Sequence, residues 1–169
     1  AKLMDHAKSS SFFSYIHGDL NGANVIVDAQ KNVWLIDFNH THRGHILKDL
    51  LKFENDLLYI FTPMNSEEDL DEALLISKII LNVKDLAQPL PDVSETGLTK
   101  ASFIRSYETL KILRSYYPAL IDFDRNPLQS FIGLLRYSLH TQLFFESNQN
   151  HKLWALYNSG HFGALITKY

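Results

Sequence analysis

The chain has 169 residues, of which 46% are hydrophobic, so it can bury one sizeable core. Its net charge of −3 and pI near 6.2 argue against a general binder of nucleic acid or of anionic membranes. It contains no cysteine, which excludes disulfides, thiol catalysis and cysteine-type zinc sites. No apolar run approaches the roughly 20 residues that span a bilayer, and no signal-peptide pattern opens the chain. We therefore expect a cytoplasmic protein without membrane or nucleic-acid partners.

The N-terminal stretch predicts the end of a helix followed by a strand. Residues from Leu3 to Ser9 have a helix-like pattern, and three consecutive serines beginning at Ser9 interrupt it. A β-type run at Tyr15 and Ile16 then stops at Gly18. The chain should therefore enter a loop directly after a strand.

Three polar side chains in and after this loop suit metal-assisted phosphoryl transfer. Asp19 and Asn24 lie five positions apart, and a second β-type run begins directly after Asn24. A third run ends at Asp37, and a polar segment of hairpin-loop length separates the last two runs. They should therefore pair antiparallel, over about Val25 to Asp28 and Val33 to Asp37. This pairing carries Asp37 back beside Asn24.

The chemistry of phosphoryl transfer gives each of these side chains a role. The reaction needs charge to be neutralised and a hydroxyl to be oriented more than it needs covalent help from the protein. Mg²⁺ is usually held by one or two side-chain oxygens together with the substrate phosphates. Asn24 and Asp37 are therefore the predicted ligands of the metal and, through it, of ATP. Asp19, left free of metal, is the predicted catalytic base for an acceptor hydroxyl.

The segment from His17 to Asp37 resembles the H-x-D-x-x-x-x-N catalytic loop and the following metal-binding aspartate of protein-kinase-like enzymes. His17, Asp19, Asn24 and Asp37 match that pattern in order. The form His-Gly-Asp, followed by an apolar strand and Ile-Asp-Phe, is similar to the aminoglycoside phosphotransferase and choline kinase-like family. This resemblance implies transfer of the γ-phosphoryl group of Mg-ATP to an acceptor hydroxyl, here of a small molecule. It also implies that His17 orients the loop by hydrogen-bonding backbone near Asp37.

Two positions depart from the pattern of regulated protein kinases. Gly18 stands where those enzymes have the arginine that pairs with a phosphorylated activation loop. Asn21 stands where Ser/Thr protein kinases commonly have a phosphate-contacting lysine. These departures favour a small-molecule kinase ancestry.

The resemblance covers the C-terminal lobe of such an enzyme and not its nucleotide-binding lobe. A kinase-like fold places a Gly-rich loop and a strand lysine upstream of the catalytic loop. Only sixteen residues precede His17, and the seven glycines form no G-x-G-x-x-G run. We therefore expect residues 1–169 to form one α+β domain, mostly helical, with a small antiparallel β-hairpin that carries the catalytic and metal-binding loops. Its partner would be the N-terminal lobe of the same protein, without which it should be inactive or nearly so.

Plainer interpretations remain open for these residues. Gly-Asp and Asn-Gly are common turn pairs, so Asp19 and Asn24 could cap backbone groups and Asp37 could simply end a strand. A second functional class, a pseudokinase or interaction module of a larger signalling protein, would keep the fold without the chemistry. The intact set of three side chains argues against that class, because a scaffold has no physical need for a pair of magnesium ligands.

The segment after Asp37 is a short polar loop rich in histidine. His40, His42 and His45 invite a transition-metal site, because closely spaced histidines can converge on one ion. A loop beside an anionic nucleotide would also carry such side chains without any metal. Arg43 has the same two interpretations, as a phosphate or acceptor contact and as a solvated side chain.

The first long helical pattern runs from Ile46 to the proline at 63. Asp49, early in it, resembles the aspartate that ties down the catalytic loop in the family, although a first-turn helix carboxylate is an equal alternative. Glu54 and Asp56 are most simply exposed helix residues, and the family also uses acidic residues here for cationic acceptors.

The later helical patterns are bounded by caps, prolines and glycines. They predict a helix opening near Ser66, a connecting loop over 88–97, a stripe from Phe103 that Pro118 closes, a central helix apolar on nearly all sides that opens at Asn126-Pro127, and a last helix from about His151 to Ser159 that stops near Gly160.

Overall fold

The computed structural model describes residues 12–121 and 124–168, and the fold is α+β and mostly helical. The helix end predicted from Leu3 to Ser9 lies outside the described residues. Within the described ranges, each helix is too short or too polar to cross a bilayer.

The β part consists of two separate two-stranded antiparallel sheets. Strands β2 (Val25–Val27) and β3 (Val33–Leu35) form the predicted hairpin, with Val25 opposite Leu35. Strands β1 (Phe13–Ile16) and β4 (His42–His45) form the other sheet. The hairpin prediction is therefore confirmed, but a single hairpin was not enough to describe the β part.

The segment predicted as a polar loop after Asn39 is partly a strand. Gly44 pairs with Ser14, and its missing side chain leaves room for Ile16, because a Cβ on Gly44 would lie 2.5 Å from Cδ1 of Ile16. This close approach lets β4 pair with β1 without a clash at Ile16. It fixes the chain after Asp37 against the strand that leads into the loop.

The first helical stripe forms α1 (Lys48–Asp56), which continues directly into a π-helical turn, Leu57–Phe61. The amide and the hydroxyl of Thr62 both donate to the carbonyl of Leu57, at 3.1 and 2.7 Å, and close the wide turn. Such turns are rare and are frequent at functional sites. The turn brings Phe61 over Gly22, where an added Cβ would meet the ring at 2.1 Å.

The remaining helices follow in the predicted order. They are α2 (Glu68–Leu81), α3 (Val93–Thr96), α4 (Ala101–Ser115), α5 (Tyr117–Ile121), α6 (Leu128–His140) and α7 (Gln149–Ile166). Pro118 was predicted to close the stripe from Phe103. α4 ends at Ser115, and Pro118 lies in the first turn of α5, a short helix that was not predicted. At the start of α6 the side chain of Asn126 accepts from the amide of Leu128 at 2.9 Å, which confirms the predicted cap.

Three helix predictions need correction. The segment 88–97 contains α3, because Asp92 and Glu95 form a capping box there. The last helix continues through Gly160 to Ile166, since Phe162 is buried and stacks on the core. α6 is not surrounded by the protein, because one face of it is exposed and carries Ile132, Arg136, Leu139 and His140.

The hydrophobic core lies among the helices and not beside the β sheets. α6 and α7 pack along each other, and α1 packs on α6. The largest fully buried side chains are Trp154, Tyr59, Tyr107, Tyr117, Phe103, Phe131 and Phe162. The two small sheets therefore lie at the edge of a helical body, and α1 is the element that joins them to it.

Candidate functional site

The loop from His17 to Asn24, called the candidate loop below, is fixed to α1 by one carboxylate. Asp49 accepts hydrogen bonds from the amides of His17 and Gly18, at 2.6 and 2.9 Å. The brace implied by the family resemblance is thus present, and Asp49 is more than a first-turn helix carboxylate. Because both bonds go to backbone, they fix the entry of the loop independently of its side chains.

His17 ties the candidate loop to the segment before Asp37. Its Nε2 lies 2.8 Å from the carbonyl oxygen of Ile36, and its ring packs on Phe38 with centroids 4.9 Å apart. A carbonyl oxygen only accepts, so Nε2 carries the proton and Nδ1 is the buried, unpartnered nitrogen. The predicted contact to backbone near Asp37 is therefore present.

Gly18 is required by the backbone that crosses it. Its φ is +87°, and an added Cβ would lie 2.1 Å from the carbonyl oxygen of His40. Both the left-handed conformation and the close approach exclude a larger residue. An arginine of the kind that regulated protein kinases carry here therefore has no room.

Two asparagines hold Asp19. The Nδ2 of Asn24 donates to the Asp19 carbonyl at 2.9 Å, and the Nδ2 of Asn21 lies 3.3 Å from Oδ2 of Asp19. The Oδ1 of Asn21 accepts from the amides of Ala23 and Asn24, which closes the short helical turn Gly22–Asn24. Asn24 is buried, whereas the Asp19 side chain is 37% exposed. The predicted base is thus presented to solvent from a fixed loop.

The hairpin joins the residue before Asp37, and not Asp37 itself, to Asn24. The amide of Ile36 donates to the carbonyl of Asn24 at 3.1 Å. Asp37 itself is exposed and left-handed, with φ +61°, and its Oδ1 accepts from the side chain of Asn39 at 2.8 Å. Among the described residues it makes no hydrogen bond to Asp19 or Asn24.

The donor set for a metal is small. Within residues 12–121 and 124–168, no three histidine, aspartate or glutamate side chains converge on one ion position. The Nδ2 of Asn24 is committed to Asp19, which leaves Oδ1 as its ligating atom, and Asp37 keeps Oδ2. One carboxylate and one carboxamide fit Mg²⁺ that retains water and phosphate ligands, and they do not fit an all-protein metal cage.

The side chain of His40 is exposed, and the rings of His42 and His45 have different partners. Nδ1 of His42 donates to the carbonyl of His40 at 2.7 Å, and its Nε2 accepts a hydrogen bond from the ammonium of Lys48 at 3.2 Å. His45 accepts from the amide of Leu47, and burial lowers the pKa of its imidazole. Arg43 is exposed on β4. His42 and His45 thus connect β4 to the start of α1.

A cavity of about 450 Å³ opens beside Asp19. It lies on the side of the loop formed by Gly22 and Ala23, and Asp37 and Asn24 are not part of its wall. Besides loop residues, its lining consists of Lys52, Asp56, Ile60, Phe61, His140, Phe144 and Glu146. Asp19 thus faces a pocket built by α1, the π turn and the segment after α6.

The cavity contains a charge cluster that sequence reasoning missed. Asp56 was predicted to be exposed but is 2% exposed. Burial raises the pKa of its carboxyl, and the nearby ammonium of Lys52 opposes that rise. The positions 49, 52 and 56 share one helix face, which is a signal that the sequence did contain.

Comparison with protein-family models matches residues 1–141 to the family described as Ternary complex associated domain 9. The matched part contains the candidate loop, both sheets and α1 to α6. Comparison with curated proteins and with solved structures gives no match.

Proposed function

We propose that this chain, which belongs to the Ternary complex associated domain 9 family, is the C-terminal catalytic lobe of an ATP-dependent phosphotransferase. The observation that carries the proposal is the fixed presentation of Asp19. Asn24 and Asn21 hold it, while Asp49 and His17 anchor its loop. A turn that merely reversed the chain would need none of these ties.

The proposed reaction uses Asp19 as base. The acceptor hydroxyl gives its proton to the Asp19 carboxylate as its oxygen bonds to the γ-phosphorus, and the bond to the β-γ bridging oxygen breaks to release ADP. Oδ1 of Asn24 and Oδ2 of Asp37 would hold Mg²⁺. The bound ion would supply neutralisation of phosphate charge.

A small molecule is the acceptor that the cavity supports best. Its volume of about 450 Å³ lies within the usual range for small-molecule sites. Phe61 and Phe144 provide apolar walls, and Asp19 lies at the wall as a polar group. A protein hydroxyl carried on an extended segment would need an open groove instead of this recess.

Exposed apolar side chains on the hairpin support a second lobe. The exposed fractions lie between 40 and 64% for Ile26, Val27, Val33, Trp34, Leu35 and Ile36. So many exposed apolar side chains on one small hairpin usually mark a contact site. In the proposed enzyme the N-terminal nucleotide-binding lobe covers it and completes the ATP site.

The same surface supports a second candidate, an interaction module. The family description refers to a ternary complex, and a pseudokinase that docks partners on the hairpin would need no metal. In that case, the exposed Asp37 would have no ligand to bind. The two candidates therefore differ in whether Asp37 matters for nucleotide binding.

The deciding experiment measures ATP binding by titration calorimetry on the full-length protein that carries this chain, with Mg²⁺ and with EDTA. For the phosphotransferase, we expect Mg²⁺-dependent binding that Asp37→Ala abolishes. Asp71→Ala, an exposed aspartate on α2, is the matched control and should leave binding unchanged. ATP binding that neither EDTA nor Asp37→Ala changes, or no ATP binding at all, would support the interaction module.

A further inference from the structure

A lysine of the first helix lies beside the carboxylate of Asp19. Lys52 follows Asp49 by about one turn of α1, so the helix that fixes the loop backbone also directs a cation to its side chain. Its Nζ lies 3.7 Å from Oδ1 of Asp19 and 3.8 Å from Oδ1 of Asp56. The Lys52 side chain is 13% exposed. The ammonium is thus enclosed between two carboxylates.

The Lys52 ammonium attracts these carboxylates without occupying their lone pairs. Both distances exceed the length of a hydrogen bond, and within the described part of the chain no acceptor takes a hydrogen bond from Nζ. Its other neighbour is the ring of Phe144, with the centroid 5.7 Å away. Oδ1 of Asp19 therefore remains open to the proton of a hydroxyl.

Asp56 anchors Lys52 from inside the fold. Its Oδ1 is buried and has no hydrogen-bond partner. The carboxylate also takes hydrogen bonds from the Gly22 amide and the Asn55 side chain, but Oδ1 is the oxygen near Lys52 and has only the ammonium to offset its burial. The attraction between Oδ1 and Nζ therefore keeps the ammonium from turning out to solvent.

Asp19 is held from both sides. Its Oδ1 faces Lys52, and its Oδ2 faces the amide of Asn21 at 3.3 Å. Asn21 is the position at which Ser/Thr protein kinases commonly have a lysine. Here a cation reaches the same aspartate from a helix that follows the hairpin.

We propose that Lys52, anchored by Asp56, is a positioning residue that holds the Asp19 carboxylate toward an acceptor hydroxyl in the cavity. This inference rests on the proposed function. In the step, the hydroxyl proton passes to Asp19, the acceptor oxygen bonds to the γ-phosphorus, and the bridging oxygen leaves with its electron pair on ADP. Lys52 keeps its protons throughout and acts through Asp19 alone.

A first test on the 169-residue chain needs no activity. We expect Lys52→Met to move the carboxyl-carbon NMR resonances of both Asp19 and Asp56, because the ammonium is close to each. Lys78→Met, at an exposed lysine on α2, is the control and should move neither. An unmoved Asp19 resonance in Lys52→Met would overturn the inference whether or not the protein is a kinase.

A second test separates positioning from folding. The full-length protein is given Mg-ATP, water takes the place of the acceptor, and ADP release is measured. We expect Lys52→Met to lower kcat by about 10- to 100-fold and to leave the KM for Mg-ATP within about twofold, because only the base is misplaced. Lys52→Arg should restore part of kcat, and Asp56→Asn should lower kcat as well. Lys78→Met should match the wild type.

The outcomes distinguish the two proposals. A wild-type protein that does not bind Mg-ATP refutes the phosphotransferase and this role with it. Mg-ATP binding that depends on Asp37, together with an unchanged kcat in Lys52→Met, refutes the role of Lys52 alone. A fall in kcat that Lys52→Arg does not relieve at all, with a matching rise in KM, would mark Lys52 as a merely structural residue.

Discussion

Asp49 shows how much of the candidate site depends on single side chains. One carboxylate accepts from two successive amides, and the neighbouring His17 ring bonds a carbonyl across the hairpin. The candidate loop forms few backbone hydrogen bonds of its own, as expected for a segment that lies mostly outside helices and strands. The conformation of the loop is therefore set by its own side chains His17, Asn21 and Asn24 together with Asp49 of α1.

We expect Asp49→Ala to destabilise the chain by about 1–3 kcal/mol, because two partly buried amides lose their acceptor. Urea denaturation measures the change in the free energy of unfolding. Hydrogen exchange should also become faster at the amides of His17 and Gly18, while Asp71→Ala, the exposed control, leaves both unchanged. Unaltered protection at these two amides would contradict the brace.

Burial of His151 predicts acid sensitivity. Burial lowers its pKa below the ordinary value of 6.5, although the hydrogen bond to the Thr62 carbonyl opposes this. The pKa of His151 is therefore lower in the folded chain than in the unfolded chain, so the imidazole binds a proton more readily when the chain is unfolded. The free energy of unfolding should therefore fall as pH drops below about 6.5.

The measurement compares urea denaturation at pH 7 and at pH 5. We expect His151→Gln to reduce the loss of stability between these two values, and His161→Gln, at an exposed histidine of the same helix, to leave that loss as it is. His45 contributes in the same direction, since burial also lowers its pKa. An identical loss in the wild type and in His151→Gln would refute the assignment.

At the scale of elements, the glycine at position 160 tests where α7 ends. The sequence placed a helix end there, because glycine commonly terminates helices. In the structure, Gly160 lies inside α7, its φ is not positive, and an added Cβ would meet nothing within 4 Å. Packing of Phe162 and Ile166 on the core outweighs the local preference of one glycine.

We expect Gly160→Ala to stabilise the chain by about 0.5–1 kcal/mol, because alanine loses less backbone entropy in a helix. Gly133→Val is the contrasting variant in α6. An added Cβ there would lie 2.5 Å from Cδ1 of Leu51, so it should cost about 1–3 kcal/mol. Thermal unfolding followed by circular dichroism reads out both changes. A loss of stability in Gly160→Ala would indicate that the helix ends at this glycine and does not continue through it.

At the scale of the whole molecule, spacing alone was enough to predict the hairpin, whose strands are close in the chain. The His17 tie and the Asp49 brace join residues 19 and 31 to 32 positions apart, and they were predicted from the family resemblance. The cavity could not be predicted, because Phe144 and Glu146 reach Asp19 only through the packing of α6 on α1. Sequence spacing also cannot predict whether the side chains of Asp37 and Asn24 face each other, because that depends on the backbone conformation at each residue.

Glu54 is the strongest case of a contact that spacing could not show. It was predicted to be exposed, yet it is fully buried and accepts from Nη2 and Nε of Arg114, at 2.6 and 3.1 Å, and from the Tyr117 hydroxyl at 2.9 Å. Its partners are 60 and 63 residues away along the chain. This network joins α1, which carries the brace, to α4 and α5.

We expect Glu54→Leu to destabilise the protein by about 3–5 kcal/mol, because it leaves the buried guanidinium of Arg114 without a counter-charge. The double variant Glu54→Leu with Arg114→Met should recover part of this loss, since an apolar pair can replace a buried ion pair at little cost, while the buried Tyr117 hydroxyl still lacks its acceptor. Equilibrium urea denaturation of the two variants and of Arg114→Met alone gives the coupling energy. A double variant no more stable than Glu54→Leu would mean that the side chains fill space and that their charges do not hold α1 to α4.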